Sequence, residues 1–190
     1  MDRYSVTSPS RADIVARKNL HQKPEFPAGH DMPNRNLQHP GVNFPPPTLF
    51  VVAGISGWQL ESAIPMPLSQ LLAIPVPVLP GWAALISGTA MLLWGLVTFL
   101  RARTAIYPNQ PARQLVDHGP YRFSRNPMYV ALTVVLIGVA LLADNLWMLL
   151  LTPVVLCVLT VFVIRREEAY LTSTFGEHYT SYVNRVRRWL

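Results

Sequence analysis

The length of 190 residues allows one domain, and the composition is unusual for a chain that folds in water. Apolar residues make up 51% of the chain and charged residues 14%, whereas soluble domains carry roughly 25% charged residues, so the composition favours lipid as the solvent. The net charge of +6 does not indicate a nucleic-acid partner, because the basic residues avoid the apolar segments and cluster at their ends.

Residues 1 to 44 are polar, with scattered prolines and charges and no sustained helical or strand period. They are predicted to form a disordered tail. A secretory signal is not expected, because the first apolar stretch begins only near Thr48. A metal site is not predicted either, since His21, His30 and His39 are widely spaced and the chain has one cysteine.

Residues 45 to 190 are predicted to form an all-α, polytopic membrane domain with about four transmembrane helices. The second apolar segment is the clearest, because about 20 residues are needed to cross about 30 Å of hydrocarbon. The first is short and contains Glu61, which is interpreted as an interfacial residue rather than a functional acid because Pro65 follows it. The predicted spans are residues 48–64, 79–100, 127–143 and 146–164.

The last two spans are predicted to form a hairpin. Pro127 is suited to a first helical turn, where its missing N–H leaves no hydrogen bond unmade. Asp144 and Asn145 are predicted to make the tight turn, and Pro153 to bend the fourth span. That span runs into Arg165 without a breaking residue, which predicts that the helix continues as a juxtamembrane, carboxyl-terminal helix in the cytoplasm.

The orientation follows from the basic residues. All 16 Lys and Arg residues fall in the amino-terminal tail, the 101–126 loop or the segment after residue 164. The two loops on the opposite side have none, so the positive-inside rule predicts that both termini are cytoplasmic. The carboxyl-terminal set of Arg185, Arg187, Arg188 and Trp189 is predicted to lie along an anionic membrane surface.

The hairpin brings two polar clusters, residues 117–129 and 165–170, to the same side of the membrane. The first carries Gly and Pro breaks, arginines and aromatic rings of the kind found at bilayer interfaces. Four motifs occur in order along these clusters and the segment after them: Gly119-Pro120-Tyr121-Arg122, Ser124-Arg125-Asn126-Pro127-Met128-Tyr129, Glu167-Glu168 and Phe175-Gly176-Glu177-His178-Tyr179.

In this ordered set the chain resembles the isoprenylcysteine carboxyl methyltransferase family over about residues 45 to 190. It is most similar to the small bacterial members, which carry Arg-Asn-Pro in place of the Arg-His-Pro of the eukaryotic enzymes. Phospholipid methyltransferases share the paired glutamates, and some membrane sterol reductases share an Arg-His-Pro-x-Tyr pattern. The resemblance implies an integral protein of the bacterial inner membrane.

The resemblance also implies transfer of a methyl group from S-adenosylmethionine to an amphipathic or lipid-like acceptor at the cytoplasmic face. The carboxylate of a prenylated cysteine, a phospholipid amine and a small hydrophobic thiol remain open as acceptors, and the oligomeric state is not predicted. Membrane lipid and an amphipathic or lipidated acceptor are the expected partners. The alternatives are a nicotinamide-dependent membrane reductase, disfavoured by chain length, and a noncatalytic membrane protein.

Methyl transfer from a sulfonium is an in-line displacement, so the protein mainly has to align the reactants and exclude water. The cofactor's ammonium requires a carboxylate, and its carboxylate requires an arginine or backbone N–H groups. Glu167 and Glu168 are adjacent on a helix and point about 100° apart. One is therefore expected to face the cofactor and the other to pair with an arginine, for which Arg165 lies at the i,i+3 spacing.

Arg125 and Asn126, just before the helix start at Pro127, are predicted to offer a site for a carboxylate, with lipid-headgroup contact and an N-cap as the alternative. His118 is a candidate general base only for an acceptor that loses a proton. Arg125 and Glu168 are the candidate catalytic residues. The candidate cofactor-binding residues that the resemblance implies are His118, Gly119, Pro120, Tyr121, Arg125, Asn126, Pro127, Tyr129, Glu167, Glu168 and Tyr179.

Overall fold

The computed structural model describes residues 44–74, 78–102 and 114–190, which all belong to one compact unit, Asn34–Leu190. Within these ranges every regular element is helical, which confirms the all-α fold class. The predicted disordered tail lies outside the described residues except for its last residue, Phe44.

The long helices begin and end close to the predicted bounds, and the sequence did not predict the short helix in the first loop (Leu68–Leu72) or the helix Glu177–Arg185. The first three long helices agree with the predicted spans to within one residue at each end. In chain order the elements are α1 (Pro47–Ala63), α2 (Leu68–Leu72), α3 (Val78–Arg101), a 3₁₀ turn (Gly119–Arg122), α4 (Pro127–Leu142), α5 (Leu146–Val158), a π-helical segment (Leu159–Ile164), α6 (Arg165–Phe175) and α7 (Glu177–Arg185).

Among the described residues, two helical segments are long and apolar enough to cross a membrane, judged by length and composition: α3 and the continuous run Leu146–Phe175. Two of the four predicted spans are therefore candidate membrane-spanning helices. Helix α4 is apolar but has 16 residues, which at about 1.5 Å per residue extend about 24 Å. Helix α1, with 17 residues, is similarly shorter than the roughly 30 Å of a hydrocarbon core.

The turn between α4 and α5 is tight, as predicted. Asp144 takes a left-handed conformation with φ 51°, and the side chain of Asn145 caps α5 by accepting a hydrogen bond of 3.0 Å from the Met148 amide. The other end of the Asn145 amide donates to the Gly57 carbonyl of α1 at 3.1 Å. One fully buried residue thus starts α5 and holds it against α1.

The loop after α1 is fastened to the same turn. The backbone and side chain of Ser69 both donate to the Asp144 carboxylate, and the Trp147 indole donates to the Ile64 carbonyl at 2.9 Å. Glu61 accepts a hydrogen bond of 2.9 Å from the Met66 amide, and its second carboxylate oxygen is buried without a hydrogen-bond partner among the described residues. Glu61 therefore stabilises the loop that follows α1.

The helix that begins at Leu146 continues to Phe175, but not as one regular α-helix. Pro153 lies inside α5, and the π-helical segment begins six residues later. A π-helical turn holds more residues than an α-turn, so it rotates the residues that follow relative to a regular helix. This rotation, which local sequence patterns do not reveal, determines the direction in which Glu167 and Glu168 leave α6.

Helices α3 and α4 pack antiparallel with their backbones close together. The buried residues of α3 include three glycines spaced by seven residues, Gly81, Gly88 and Gly95. A Cβ atom on Gly88 would lie 2.9 Å from the Val135 backbone nitrogen of α4, and one on Gly138 of α4 would lie 2.7 Å from the Leu85 nitrogen. Small residues permit this approach, a common device of helix pairs in membranes.

The apolar core lies between α1, α4 and the α5–π run. Its buried members are Phe50, Ala53, Leu136, Val155, Leu159, Val163 and Ile164. The outward faces of α1 and α3 expose large apolar side chains, including Val51, Val52, Ile55, Trp58, Leu79, Trp82, Ile86 and Leu93. Such extensive apolar exposure is expected of faces that contact lipid.

We expect Gly138→Ala to destabilise the protein by about 1–3 kcal/mol, the usual effect of overpacking a close contact. The three atoms nearest to the added Cβ all belong to the backbone of α3, at 2.7 to 3.0 Å. Only a shift of one helix backbone could relieve these contacts. Gly54→Ala is the matched control, because a Cβ there meets nothing within 4 Å, and alanine is favoured over glycine in a helix by about 0.5–1 kcal/mol. Unfolding in detergent would measure both, and equal effects would contradict the close packing.

Candidate functional site

The first polar cluster is fastened to the end of α3 by the 3₁₀ turn. Gly119 has φ +62°, and a Cβ there would lie 2.9 Å from the Thr98 hydroxyl, so glycine is required both by conformation and by space. Pro120 is fully buried. The Tyr121 ring is also buried and packs on Phe99, with the ring centroids 5.0 Å apart.

The Arg-Asn-Pro turn follows at once and leads into α4. Ser124 is fully buried, and its hydroxyl accepts a hydrogen bond of 3.1 Å from the backbone N–H of Asn126. Pro127, at the first helical position, is also fully buried. The side chain of Asn126 makes no capping hydrogen bond to α4, so its side-chain amide is free to bind another segment.

The last residues of the chain form a segment that lies across this turn, the carboxyl-terminal strap (Arg187–Leu190). The Arg125 backbone N–H donates to the Arg187 carbonyl at 2.9 Å. The Arg188 carbonyl accepts from the Asn126 side chain at 2.9 Å and from the Ser124 hydroxyl at 3.3 Å. The strap is thus held by three hydrogen bonds to three consecutive residues.

Of the residues predicted to lie along an anionic membrane surface, Arg188 and Trp189 take other positions. Trp189 packs against the apolar core between the helices, and the Arg188 guanidinium is engaged by α6. Arg185 and Arg187 have exposed side chains, as a surface position requires. The sequence pattern of basic and aromatic residues fits either arrangement, because an indole and a guanidinium with partners are stable inside a protein as well as at an interface.

Glu168 of α6 binds two arginines from distant parts of the chain. Its Oε1 lies 2.9 Å from Nη1 of Arg125. Arg188 approaches side-on, with Nε 2.9 Å from Oε1 and Nη2 2.7 Å from Oε2, the two-pronged geometry that makes arginine–carboxylate pairs strong. The hydrogen bond to Glu168 raises the pKa of Arg188. The arginine partners of Glu168 are therefore these two, and not the predicted Arg165 on the same helix.

Glu167 has different surroundings from its neighbour, as the helical geometry predicts. Its Oε1 accepts a hydrogen bond of 3.1 Å from the Tyr129 hydroxyl of α4. The two motif segments, 124–129 and 167–168, are thus joined twice, once through Tyr129 and Glu167 and once through Arg125 and Glu168.

The guanidinium group of Arg125 has one N–H donor whose hydrogen bond is not made within the described residues. The Nε of Arg125 is buried and has no hydrogen-bond partner among the described residues, although its side chain binds Glu168 and also forms a hydrogen bond with Tyr179. Buried donors are nearly always satisfied. This N–H group is therefore a candidate donor to a ligand oxygen.

Helix α7 packs against the motif turn through two tyrosines, Tyr179 and Tyr182. Gly176, with φ +52°, ends α6 and lets the chain turn into α7. The Tyr182 hydroxyl donates to the Tyr121 carbonyl at 2.7 Å, and Tyr179 is buried beside Tyr182, with their ring centroids 6.1 Å apart. Burial raises the pKa values of Tyr121, Tyr179 and Tyr182, so these phenols stay neutral at physiological pH.

The structure gives the predicted site residues different roles. Side-chain contacts join Tyr129 to Glu167, and Arg125 to both Glu168 and Tyr179. The backbone of Gly119 and the buried rings of Pro120 and Pro127 shape the turn. His118 is peripheral, with 63% of its side chain exposed and its Nδ1 3.9 Å from Oδ1 of Asp117.

Arg188 is the residue of this cluster that sequence reasoning did not assign to the site. The only signal in the sequence was its membership of the Arg-Arg-Trp set at positions 187–189. Asn126 was assigned to a cofactor carboxylate, whereas in the structure its amide donates to the strap. Among the described residues, His, Cys, Asp and Glu side chains do not gather into a group that could hold a metal ion.

The comparisons with known proteins agree with the motifs. Residues 78–178 match the family model described as phospholipid methyltransferase, and this match fits the predicted resemblance to isoprenylcysteine carboxyl methyltransferases. An uncharacterized protein of Haemophilus influenzae is 40% identical over 63 residues, which are 33% of this chain and the full length of that protein. Solved structures give no match to the chain.

Proposed function

The chain belongs to the phospholipid methyltransferase family, and we propose on that premise that it transfers the methyl group of S-adenosylmethionine to a lipid-like acceptor at the cytoplasmic membrane face. Family membership implies methyltransferase activity, and the apolar helices indicate a membrane protein. The observation that carries the proposal is the junction of the two motif segments through Arg125 and Glu168, 2.9 Å apart.

We assign the cofactor ammonium to Glu167. Both carboxylate oxygens of Glu168 already bind arginine, so an ammonium there would have to displace a two-pronged ion pair. Glu167 accepts a hydrogen bond from the Tyr129 hydroxyl, which orients the carboxyl group without forming an ion pair. A carboxylate next to the polar turn can pair with a cationic amino-acid moiety.

Arg125 and Glu168 act in this proposal by alignment. The side chain of Arg125 is held by Glu168, and its unpartnered Nε remains available for a carboxylate or phosphate oxygen. S-Adenosylmethionine supplies the electrophilic methyl group. The chain's own residues hold the acceptor oxygen or nitrogen in line with that group and exclude water, which is the main requirement of such a displacement.

The charge of the cluster does not select the acceptor. The two guanidinium groups on Glu168 face two carboxyl groups in the same site, those of Glu168 and Glu167. The carboxylate of a prenylated cysteine, a phospholipid amine and a small hydrophobic thiol all remain as candidate acceptors. A nicotinamide-dependent reduction or a noncatalytic role is disfavoured, since the family match is to methyltransferases.

We propose further that α1, α3, α4 and the α5–π run all cross the membrane, with both termini in the cytoplasm. Trp58, Trp82 and Trp147 lie at the ends of their helices away from the motif turn, where indoles anchor proteins at an interface. The short α1 and α4 require local thinning of the bilayer, an adjustment of small energy per Å of mismatch.

The acceptor is proposed to enter sideways from the bilayer and the cofactor from the cytosol. Each methylene that leaves hydrocarbon for water costs about 0.8 kcal/mol, so a ten-carbon chain would lose roughly 8 kcal/mol by passing through water. The polar turn lies at the start of α4, beside helices whose outward faces are apolar. This arrangement suits an opening towards lipid near Arg125, Asn126 and Glu168.

We expect Glu167→Gln to weaken binding of S-adenosylhomocysteine about ten- to hundredfold, the effect of losing a charged hydrogen-bond partner of about 1.5–3 kcal/mol. Glutamine keeps the acceptor for the Tyr129 hydroxyl, so the change isolates the charge. Glu168→Gln should weaken binding less and lower the melting temperature more, because it leaves two arginines without their carboxylate. Titration calorimetry and thermal unfolding of the purified protein would measure both.

Glu177→Gln is the matched control for this comparison, because Glu177 is an exposed acid in the first turn of α7. It should leave the affinity unchanged. Equal and negligible losses for the two neighbouring glutamates would contradict their assignment. Binding of NADPH in place of S-adenosylhomocysteine would overturn the proposed reaction.

The proposed topology predicts that reporter fusions at residues 40, 112 and 190 all report cytoplasm, and that one near residue 70 reports the opposite side. The reason is the confinement of all 16 Lys and Arg residues to three regions on one side. A cytoplasmic signal at residue 70 would show that α1 does not cross the membrane.

The lateral entry of the acceptor predicts that half-saturating concentrations fall as the alkyl chain of the acceptor lengthens, measured at a fixed detergent concentration. A carboxylate series and an amine series with identical chains would separate the two acceptor classes. No change with chain length in the active series would indicate a small, water-soluble acceptor instead.

A further inference from the structure

The side chain of Asn126 does not perform the usual task of an asparagine at a helix start. An N-cap asparagine normally accepts a hydrogen bond from the backbone of the first turn. In α4 this bond is not made. The amide nitrogen instead donates to the Arg188 carbonyl at 2.9 Å, across 62 positions of sequence.

The same carbonyl is bound a second time by the same turn. The Ser124 hydroxyl lies 3.3 Å from it, so both lone pairs of the carbonyl oxygen have a donor. Ser124 is fully buried, and its hydroxyl is itself fixed by the Asn126 backbone N–H at 3.1 Å. The neighbouring Arg187 carbonyl accepts from the Arg125 N–H at 2.9 Å.

Arg188, whose carbonyl accepts the hydrogen bond from Asn126, also binds Glu168 through its guanidinium group. Arg188 makes hydrogen bonds of 2.9 and 2.7 Å to the two oxygens of that carboxylate. An arginine side chain has many rotamers, and fixing its backbone reduces the conformations that must be lost when the pair forms. The position of the carbonyl therefore determines how readily the guanidinium reaches Glu168.

We propose that Asn126 is a positioning residue, which latches the carboxyl-terminal strap through the Arg188 carbonyl and so holds the Arg188 guanidinium on Glu168. Its role in methyl transfer rests on the proposed function, but the latch itself does not. This role needs a donor at position 126 and not a carboxylate-binding or proton-transferring group. Histidine, which also carries a ring N–H donor, satisfies the same requirement.

The test compares Asn126→Leu, which keeps the approximate shape and removes the donor, with Asn126→His, which restores a donor. Two signals are read in the full-length protein in detergent without any cofactor. Hydrogen exchange of the Arg125 amide reports attachment of the strap, because its acceptor is the Arg187 carbonyl. The NMR signal of the Arg188 Nε–H reports the pair with Glu168.

In Asn126→Leu we expect the Arg125 amide to exchange about three- to tenfold faster, the effect of one lost hydrogen bond, and the Arg188 signal to broaden or disappear. In Asn126→His both should return towards the wild-type behaviour. Two internal references should stay constant: the Val186 amide, bonded to the Tyr182 carbonyl, and the Arg185 Nε–H, bonded to the Ser181 carbonyl. Unchanged signals in Asn126→Leu, or no rescue by histidine, would overturn the latch.

If Asn126→Leu also releases the Val186 amide, the whole carboxyl-terminal region has loosened, and Asn126→Asp decides instead. That change keeps the size of the side chain and replaces its N–H donor by an acceptor, so an acceleration confined to Arg125 supports the proposed role of Asn126 and an unchanged rate overturns it. A failure of S-adenosylhomocysteine to bind would count against the proposed function and would leave these readouts unaffected.

Discussion

The ion pairs of Glu168 are the interaction on which the organisation of this site depends. One carboxylate on α6 holds Arg125, at the start of α4, and Arg188, in the carboxyl-terminal strap. Removing one partner from a buried charge cluster usually destabilises a protein by about 3–5 kcal/mol, and partial exposure of Arg188 reduces that figure here. The cluster thus stabilises the meeting of three segments that are far apart in the sequence.

The close packing of α3 on α4 provides the frame for this cluster. Glycines at positions 81, 88 and 95 let the two backbones approach, so the end of α3 lies beside the motif turn. There Gly119 fits against Thr98, and the buried Tyr121 packs on Phe99. A rigid, closely packed helix pair is a suitable support for a turn that has to hold a guanidinium in one direction.

Some polar groups of the site are bonded to other parts of the protein, and others remain for a ligand. Tyr182 and Asn126 use their donors on backbone carbonyls of the site, and Glu168 uses both oxygens on arginines. The Nε of Arg125 is left without a partner among the described residues, and Glu167 is held by a neutral phenol. Among the described residues of this cluster, one N–H donor and one carboxyl group therefore remain for a ligand. They complement the carboxylate and the ammonium of an amino-acid moiety such as that of S-adenosylmethionine.

The sequence by itself determined the features that depend on neighbours along the chain. Apolar composition, the helix start at Pro127, the turn at Asp144 and the divergence of Glu167 from Glu168 all follow from local geometry, and the ordered motifs identified the family. The arginine partners of Glu168 could not be predicted from the sequence. Arg165 lies at the helical spacing that favours such a pair, whereas Arg125 and Arg188 are far from Glu168 along the chain. Tertiary structure decided between them: the π-helical segment rotates α6, and Gly176 and α7 lead the chain back to the motif turn. That return path brings Arg188 to Glu168 across 20 positions, a distance over which helical periodicity carries no information about which side chains will meet.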